Sequence, residues 1–258
     1  MSLKKTFFIF IFLLVANIGK AQLFSNEIGA FAGPVAMYSD YGERNDSGTN
    51  FGNVGFGIGL LHYMNFSTSG GYSGVNIPFF EDHFKIRNEI LYTKVNLQHY
   101  GEYVDPSRTT LTAQQLRGMR GESSVFSVGT NLEYHLLSIR AFESGGPKFA
   151  PSIGLGINYS LYTPKASSTL GVLGDPAITP VKYQDAFSND AGSTFALIGT
   201  MGTRYKISPF EDLSLSLRWQ FFFSNWVDGL NPDENLYPEN KANDWMFSIN
   251  LAYIFYLE

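Results

Sequence analysis

The sequence contains no cysteine among its 258 residues, and only 16% of its residues are charged. The absence of thiols excludes a lipid anchor attached through cysteine, a disulfide framework and metal sites that use thiolate ligands. Basic residues are also few, since 18 lysines and arginines stand against 23 acids. An acidic chain is poorly suited to the phosphate backbone of nucleic acid, so no nucleic-acid partner is expected.

Long hydrophobic runs are equally scarce. The one such run lies in residues 1–21, MSLKKTFFIFIFLLVANIGKA, between a basic start and small residues. This order predicts a secretory signal peptide cleaved before Gln22, because an apolar run of about a dozen residues is short for a membrane-spanning helix. Removing its three lysines takes the formal charge from −5 to −8 for the exported domain at residues 22–258.

A strict alternation of bulky and minimal side chains marks the stretch 51–66, FGNVGFGIGLLHYMNF. Successive side chains of a strand point to opposite faces, so Phe56, Ile58 and Leu60 share one face while glycines leave the other nearly bare. A small barrel in a bilayer needs this combination, because its outside meets hydrocarbon and its lumen is narrow.

Seven further segments alternate in the same way, at 27–38, 84–100, 125–137, 149–161, 194–206, 213–223 and 244–257. The pattern predicts an all-β fold: an eight-stranded antiparallel up-and-down transmembrane β-barrel with long outer loops, or ten strands if a loop forms an extra hairpin. Within 84–100, Val95 and Leu97 fall on the charged face, which predicts a bulge or a rise out of the membrane. Pro34 fits only where the ladder needs no donor.

A soluble lipocalin-like barrel or sandwich is the alternative, and it requires the opposite pattern. The segments 213–223 and 244–257 each place six or seven apolar side chains on one face and small or polar ones on the other. The last strand, ending AYIFYLE, also resembles the terminal signal by which outer-membrane barrels are inserted. We therefore expect a multi-pass barrel in a bacterial outer membrane.

Connection lengths fit a barrel whose two ends lie in the periplasm. The predicted outer loops are long, at 39–52, 101–122, 163–192 and 224–242, whereas two inner turns, 138–147 and 207–212, are shorter. The long inner connection 67–82 is either a docking site or, as we favour, a flexible Gly/Ser loop.

Charged and polar residues on the inward faces should converge in the lumen; these are Lys85, Arg87, Glu89, Asn131, Glu133, His135, Arg218 and Gln220. Buried charges must pair, which predicts a lumenal network that includes Arg87, Glu89, Glu133 and Arg218. A structural plug is favoured over a pore, because eight strands leave room for side chains or one small ligand.

Signals for catalysis and cofactors are slight. The histidines, His62, His83, His99 and His135, lie in no recognisable nucleophile motif, so no catalytic residue and no cofactor is expected. The acidic segment 224–245 offers a calcium candidate at Asp228, Asn231, Asp233 and Asn235, although a loop held by Asx turns and stacked aromatics is favoured.

Three arginines, Arg108, Arg117 and Arg120, fall in one predicted outer loop. Guanidinium groups bind both phosphate and carboxylate. The loop could therefore bind lipopolysaccharide phosphates or, as we favour, pair with acids of the first outer loop, such as Asp40, Glu43 and Asp46.

A series of segments follows a recognisable order along the chain: EIGAFAGPVAMYSDYGE, GFGIGLLHYMNF, HFKIRNEILY, LEYHLLSI, PSIGLGINYSLYTP, GTRYKISP, FSNWVDGLNP and NDW. In this order the chain resembles the PorG-like outer-membrane barrels associated with the type IX secretion system. Where that family carries a Thr-Asp-Tyr-Leu-Asp-Asp type motif, this chain has Ser224, Asn225, Trp226, Val227, Asp228 and Gly229, which keep one acid.

The resemblance implies a non-enzymatic barrel that anchors a periplasmic ring of the secretion machine. Its expected partners are protein subunits of a secretion or envelope complex, together with outer-membrane lipid and lipopolysaccharide. Three alternatives stay open: a free-standing structural or small-ligand-binding barrel, an accessory subunit of another envelope complex, and a lipid-modifying enzyme.

Overall fold

Eight antiparallel strands close into one barrel in the computed structural model, which describes residues 25–43, 46–66 and 78–257. The strands are β1 Ser25–Tyr38, β2 Val54–Asn65, β3 Phe84–Leu97, β4 Met119–His135, β5 Phe149–Ser168, β6 Gly192–Ser208, β7 Glu211–Phe222 and β8 Trp245–Leu257. Each strand pairs with its neighbours in the chain, and β8 returns to β1. The predicted eight-stranded up-and-down barrel is confirmed, and the described part of the chain holds no ninth or tenth strand.

Two predictions lie wholly or mostly outside the described residues: the signal peptide at 1–21 and the connection at 67–82. Short helices occupy the connections, at Ser47–Asn50, Phe79–His83, Leu111–Gly118 and Ile139–Glu143, with 3₁₀ turns at Glu102–Val104, Val181–Tyr183 and Pro238–Asn240. Within the described ranges, no helix has the length and hydropathy to span a membrane.

The outside of the barrel is apolar and the inside is not. Leu155 is 67% exposed and Phe195 is 57% exposed, although both lie in the middle of regular strands. Lumenal neighbours such as Asn158 and Ser160 are buried instead. This inverted distribution is stable only when hydrocarbon surrounds the barrel, and closure satisfies every strand edge there. The barrel lies in a bacterial outer membrane, as the sequence predicts.

Inward glycines let neighbouring side chains and strands fill this narrow interior. A Cβ on Gly59 would lie 2.4 Å from the Phe31 ring and 2.5 Å from the Ile90 carbonyl oxygen. On β1, Pro34 lies in register with Phe56 of β2, whereas the ladder to β8 skips residues 33 and 34. Pro34, which lacks an N–H, therefore sits beside a gap in the pairing.

Of the two alternatives predicted for β3, the bulge is wrong, and the rise out of the membrane stays a prediction. This strand pairs with β2 and β4 without any register shift through Leu97. Val95 and Leu97 face inward and are buried, because the lumen changes from ionic to apolar toward its outer end. Inward and outward residues alternate along the whole of β3, and the inward residues change from charged to apolar toward its outer end.

Two predicted outer loops are shorter than expected. The β4–β5 hairpin continues to the pair Met119↔Ser168, so β4 begins before residue 122 and β5 extends beyond residue 163. The added rungs carry polar pairs such as Glu122 opposite Lys165, which are suited to the aqueous side of the membrane.

Candidate functional site

A chain of ion pairs crosses the middle of the lumen. Arg218 Nη2 donates to Glu89 Oε1 at 2.6 Å. Arg87 lies 3.2 Å from Glu89 Oε2 and donates through Nη1 to Glu133 Oε1 at 3.1 Å. All four side chains are buried. These residues are the predicted lumenal network, and the structure brings all four of them together.

The other predicted lumenal residues lie around this chain. Arg218 Nη1 donates to Gln220 Oε1 at 2.6 Å, and Asn131 Nδ2 donates to Thr200 Oγ1 at 3.0 Å. His135 is buried with its Nε2 atom 3.7 Å from Glu133 Oε2. The polar middle of the lumen thus combines the ion-pair chain with buried neutral hydrogen-bonded side chains.

A second ionic cluster fills the periplasmic end of the lumen. Glu27 accepts hydrogen bonds from Lys85 Nζ and Arg204 Nη1, both at 2.5 Å. Lys206 Nζ lies 3.0 Å from Asp212 Oδ1. Sequence reasoning found only Lys85 in this cluster. The other four residues share the inward parity of their strands, which was the available signal.

Charge balances inside the barrel. The cations in these clusters are Lys85, Arg87, Arg204, Lys206 and Arg218, and the acids are Glu27, Glu89, Glu133, Asp212 and Glu143. Glu143 belongs to the helix Ile139–Glu143, which closes the periplasmic end and reaches Lys85 Nζ at 3.1 Å. The five positive and five negative charges of these clusters therefore cancel.

The outer end of the lumen is sealed by apolar side chains. Val95, Phe222 and Met246 contribute from the strands, and Val227 and Leu230 contribute from the last outer loop. Ser123 Oγ donates to the Val227 carbonyl at 2.6 Å, which ties this loop to β4. The last outer loop is therefore folded into the barrel mouth.

Outer loops pack together over this seal into a structure that we call the outer cap, formed by residues 39–43, 46–53, 98–118, 169–191 and 223–244. Loops 169–191 and 223–244 are joined by the bridge Phe187↔Leu230. Tyr183 Oη donates to the Asp40 carbonyl at 2.9 Å, which joins the first outer loop to them. The cap is thus held by long-range hydrogen bonds.

Three carboxyl groups are buried together in the outer cap. Asp40 N donates to Asp228 Oδ2 at 2.7 Å, and Asp228 N donates to Asp244 Oδ2 at 3.1 Å. Burial raises the pKa of Asp228 to about 7. Burial, reinforced by the neighbouring carboxylates, raises the pKa of Asp40 and of Asp244 well above the ordinary value.

The calcium candidate is divided between two environments. Asp228 is buried in the carboxyl group just described, whereas Asp233 and Asn235 are exposed. Asp233 Oδ1 accepts from Asn235 N at 2.9 Å, which is an Asx turn, and Asn231 Oδ1 accepts from Asn225 Nδ2 at 3.1 Å. In the ranges that the structure describes, no three acids, histidines or cysteines are arranged to hold a metal ion.

The three arginines predicted for one outer loop bond within residues 102–120 rather than to the first outer loop, and Arg120 lies in β4. Arg108 Nη2 donates to Glu102 Oε1 at 2.9 Å, and Arg117 Nη1 donates to the Arg108 carbonyl at 3.0 Å. Arg120 Nη1 donates to the Arg117 carbonyl at 2.7 Å. The expected pairing with Asp40, Glu43 and Asp46 is wrong, because the loop supplies its own acceptors.

Asp40 and Asp46 are occupied elsewhere. Asn240 Nδ2 donates to Asp40 Oδ1 at 2.8 Å, and Asp46 Oδ1 accepts from Gly48 N at the start of the helix Ser47–Asn50.

A cavity of about 460 Å³ opens in the outer cap. Its walls include four tyrosines, Tyr41, Tyr100, Tyr103 and Tyr183, together with His99 and Lys182. Burial, with Lys182 and Arg120 nearby, lowers the pKa of His99 to about 3, so its ring is neutral. Aromatic walls with a few polar groups are typical of small-molecule sites.

The four histidines lie in different parts of the molecule. His62 faces outward on β2, His83 ends the helix Phe79–His83, His99 lines the cap cavity and His135 lies in the lumen.

Comparison with known proteins returned structural neighbours only. No protein-family model matches the chain, and no curated protein matches it significantly. The attachment invasion locus protein Ail of Yersinia pestis, solved with the heparin analogue sucrose octasulfate, is 12% identical with a TM-score of 0.45, covering 91% of this chain and 99% of Ail.

Two other solved structures are similar to the same degree. Neisserial surface protein A is 12% identical with a TM-score of 0.46, covering 90% of this chain and 97% of its own. The outer membrane protein OprG of Pseudomonas aeruginosa is 12% identical with a TM-score of 0.44, covering 91% and 98%. Likeness at this level carries no information on function.

Proposed function

We propose that this barrel is a non-enzymatic scaffold that anchors a protein-export machine, the type IX secretion system, in the outer membrane. The filled lumen carries the proposal. Ionic clusters of balanced charge and an apolar seal occupy the lumen in the described part of the chain, which favours the surfaces at the two ends of the barrel as the places for binding partners.

The periplasmic end offers an ordered surface for such a partner. The helices Phe79–His83 and Ile139–Glu143 are joined there, since Ser138 Oγ and Arg140 N both donate to Asp82 Oδ1, at 2.9 and 3.2 Å. We call this pair of helices the periplasmic platform. Phe79 is 61% exposed on it. Exposed aromatic residues on a fixed platform are suited to anchor a protein interface.

The assignment to type IX secretion draws on the resemblance to PorG-like barrels described above. The last outer loop supports a structural role for the segment that replaces the family motif. Val227 seals the barrel mouth, and Asp228 is buried beneath the loop surface. The retained acid, Asp228, therefore stabilises the outer cap. A ring subunit in the periplasm would bind the periplasmic platform, which lies at the other end of the barrel.

Affinity purification from the native envelope in mild detergent, followed by mass spectrometry, tests the proposal. We expect type IX ring or translocon subunits to be recovered with the tagged barrel. Phe79→Glu should reduce their recovery, whereas Leu236→Glu, at a 70% exposed position of the outer cap, should not. Recovery of the barrel alone under conditions that keep other envelope complexes intact would overturn the scaffold proposal, and recovery with a different machine would overturn the type IX assignment.

The cap cavity favours a second candidate, a free-standing barrel that binds a small ligand. The hydroxyl of Tyr183 is engaged with Asp40 and that of Tyr100 donates to the Gly52 carbonyl at 3.0 Å, so both rings are fixed in the cavity wall. Native mass spectrometry of the barrel purified alone should then show a bound small molecule that is lost in Tyr103→Ala. An empty cavity in barrel purified from its own envelope would contradict this candidate.

A further inference from the structure

A row of polar residues crosses the lipid-facing surface of four adjacent strands. Asn26, His62, Asn88 and Thr130 all point outward from β1, β2, β3 and β4. In the ladders His62 faces Asn88, and Asn88 faces Thr130. Polar side chains in contact with hydrocarbon are costly and are retained mainly where they bind something.

The depth of this polar row is set by its neighbours. Leu60, Ile90 and Val128 lie on its outer side along the strands, and Met64, Ile86 and Leu132 lie on its periplasmic side. Beyond them comes a belt of aromatic rings in contact, Phe66, Phe80, Phe84 and Tyr134, whose neighbouring centroids are 4.7 to 5.2 Å apart. Aromatic belts mark the level of the headgroups, so the polar row lies just inside the periplasmic leaflet.

Hydrogen bonds inside the row orient Asn88. His62 Nε2 lies 3.0 Å from Asn26 Oδ1, and Asn88 Nδ2 donates to His62 Nδ1 at 3.4 Å. The amide carries a second hydrogen, whose acceptor among the described residues is the Met64 sulfur, at 3.8 Å. Thioether sulfur is a weak acceptor, so Asn88 holds a donor that a better acceptor could claim.

A groove of about 680 Å³ lies on the outside of the barrel and is bordered by His62 and Asn88 of the row. Its apolar lining includes Leu60, Ile90 and Val128, which lie one step closer to the outer end of the strands than the row. Its floor is Gly29 and Ala30 on β1, and its walls include Leu60 and Tyr253, the two cross-strand partners of Ala30. The groove exists because the small side chain of Ala30 lies between the bulky side chains of Leu60 and Tyr253.

We propose that this row and groove form a binding site for one diacyl glycerophospholipid of the periplasmic leaflet. An ester carbonyl accepts hydrogen bonds from Asn88 Nδ2 and Thr130 Oγ1, and one acyl chain lies over Ala30. The order of features matches the order of groups in such a lipid: ester groups just inside the headgroup level, then hydrocarbon toward the midplane. No lysine or arginine lies in the row, so neutral carbonyls rather than headgroup charge are recognised.

Native mass spectrometry with phosphatidylethanolamine as the probe tests the site. The full barrel is extracted in mild detergent, supplied with this lipid and washed with increasing detergent. We expect one lipid to resist removal from the unmodified protein. The double variant His62→Leu, Asn88→Leu should weaken retention by about tenfold, because one or two hydrogen bonds are lost in hydrocarbon. Ala30→Phe, which fills the groove, should weaken it as well.

The control is Thr203→Leu, which replaces an outward polar residue on β6, on another side of the barrel. It should leave retention unchanged. All variants place apolar groups against lipid, and heat-sensitive gel mobility verifies that they fold. Equal retention in all four proteins, no retained lipid in any, or a retained protein segment in place of the lipid would each overturn the proposal.

Discussion

At the scale of single residues, the lumen depends on charges that compensate one another at close range. Glu89 contacts both Arg87 and Arg218 and is buried. An ion pair in such a place contributes little compared with an apolar substitute, but removal of one partner leaves a charge that water cannot reach. Each charged residue of the network is therefore needed to neutralise the buried charges beside it.

Glu89→Gln should destabilise the barrel by about 3 to 5 kcal/mol, because two buried arginines lose their shared counter-charge. Urea unfolding in lipid vesicles measures the loss. Glu122→Gln is the matched control: Glu122 pairs with Lys94 at 2.8 Å and with Lys165 at 3.1 Å, both partly exposed to water. Its loss should be hard to detect. An equal effect of both substitutions would contradict a buried network.

Gly59→Ala should destabilise the barrel by about 1 to 3 kcal/mol, the usual cost of overpacking. The new methyl group would collide with the Ile90 carbonyl, which a side-chain rotation cannot move. At Gly199, a Cβ would meet only Trp219, at 3.6 Å. Gly199→Ala should therefore leave the urea midpoint unchanged, and a similar midpoint for both variants would refute the steric account.

At the scale of elements, three buried carboxyl groups link the loops of the outer cap. Because burial favours their protonated form, the folded cap is most stable when they are protonated. The pKa of Asp228 is raised from an ordinary 3.8 to about 7 by burial. Between these two values the folded cap binds more protons than the unfolded chain, so the stability of the cap falls as pH rises. Lys182 is the cation that opposes the effect at Asp40, whereas Glu234 adds to it.

Protection of backbone amides in the last outer loop should therefore fall from about pH 4 to about pH 7, after correction for intrinsic exchange rates. Asp244→Asn removes one carboxylate while an amide oxygen can still accept from Asp228 N, so its fall should be shallower. Asp233→Asn, in the exposed Asx turn of the same loop, should behave like the unmodified protein. Protection that rises with pH would reverse the predicted sign.

The strands were predictable from sequence because their signal is local. Period-two alternation placed Arg87, Glu89, Glu133 and Arg218 on the inward faces without knowledge of their partners. The outer cap was not predictable in this way. Val227 and Leu230 enter the barrel mouth because loops distant in the chain fold over it, and no periodicity in residues 223–244 encodes that contact.

Glu27 shows a different kind of miss. It has the inward parity of β1, but that strand alternates weakly, with alanines and Pro34 along its outward face. Its role became visible only when the structure placed Arg204 beside it.

At the scale of the whole molecule, three stacked layers close the lumen: the periplasmic ionic cluster, the central ion-pair chain and the apolar seal. Purified protein in planar bilayers should therefore show no steady ion conductance. A discrete, reproducible conductance step would contradict this prediction and would favour a transport role. Glu89→Gln serves as a check of sensitivity, since a loosened network should give transient events.

The same lumenal charges also constrain the order in which the barrel assembles. Glu27 and its partner Arg204 are 177 residues apart in the chain, and Glu89 and Arg218 are 129 apart. Hairpins of neighbouring strands can form early, yet they leave these charges unmatched in a membrane. Each of these two pairs joins strands that are not neighbours in the sheet, so its charges are matched only once β8 meets β1 and the barrel closes. An incompletely closed sheet would expose unpaired charges in the membrane and is therefore unstable. Insertion and closure are expected to proceed as one event.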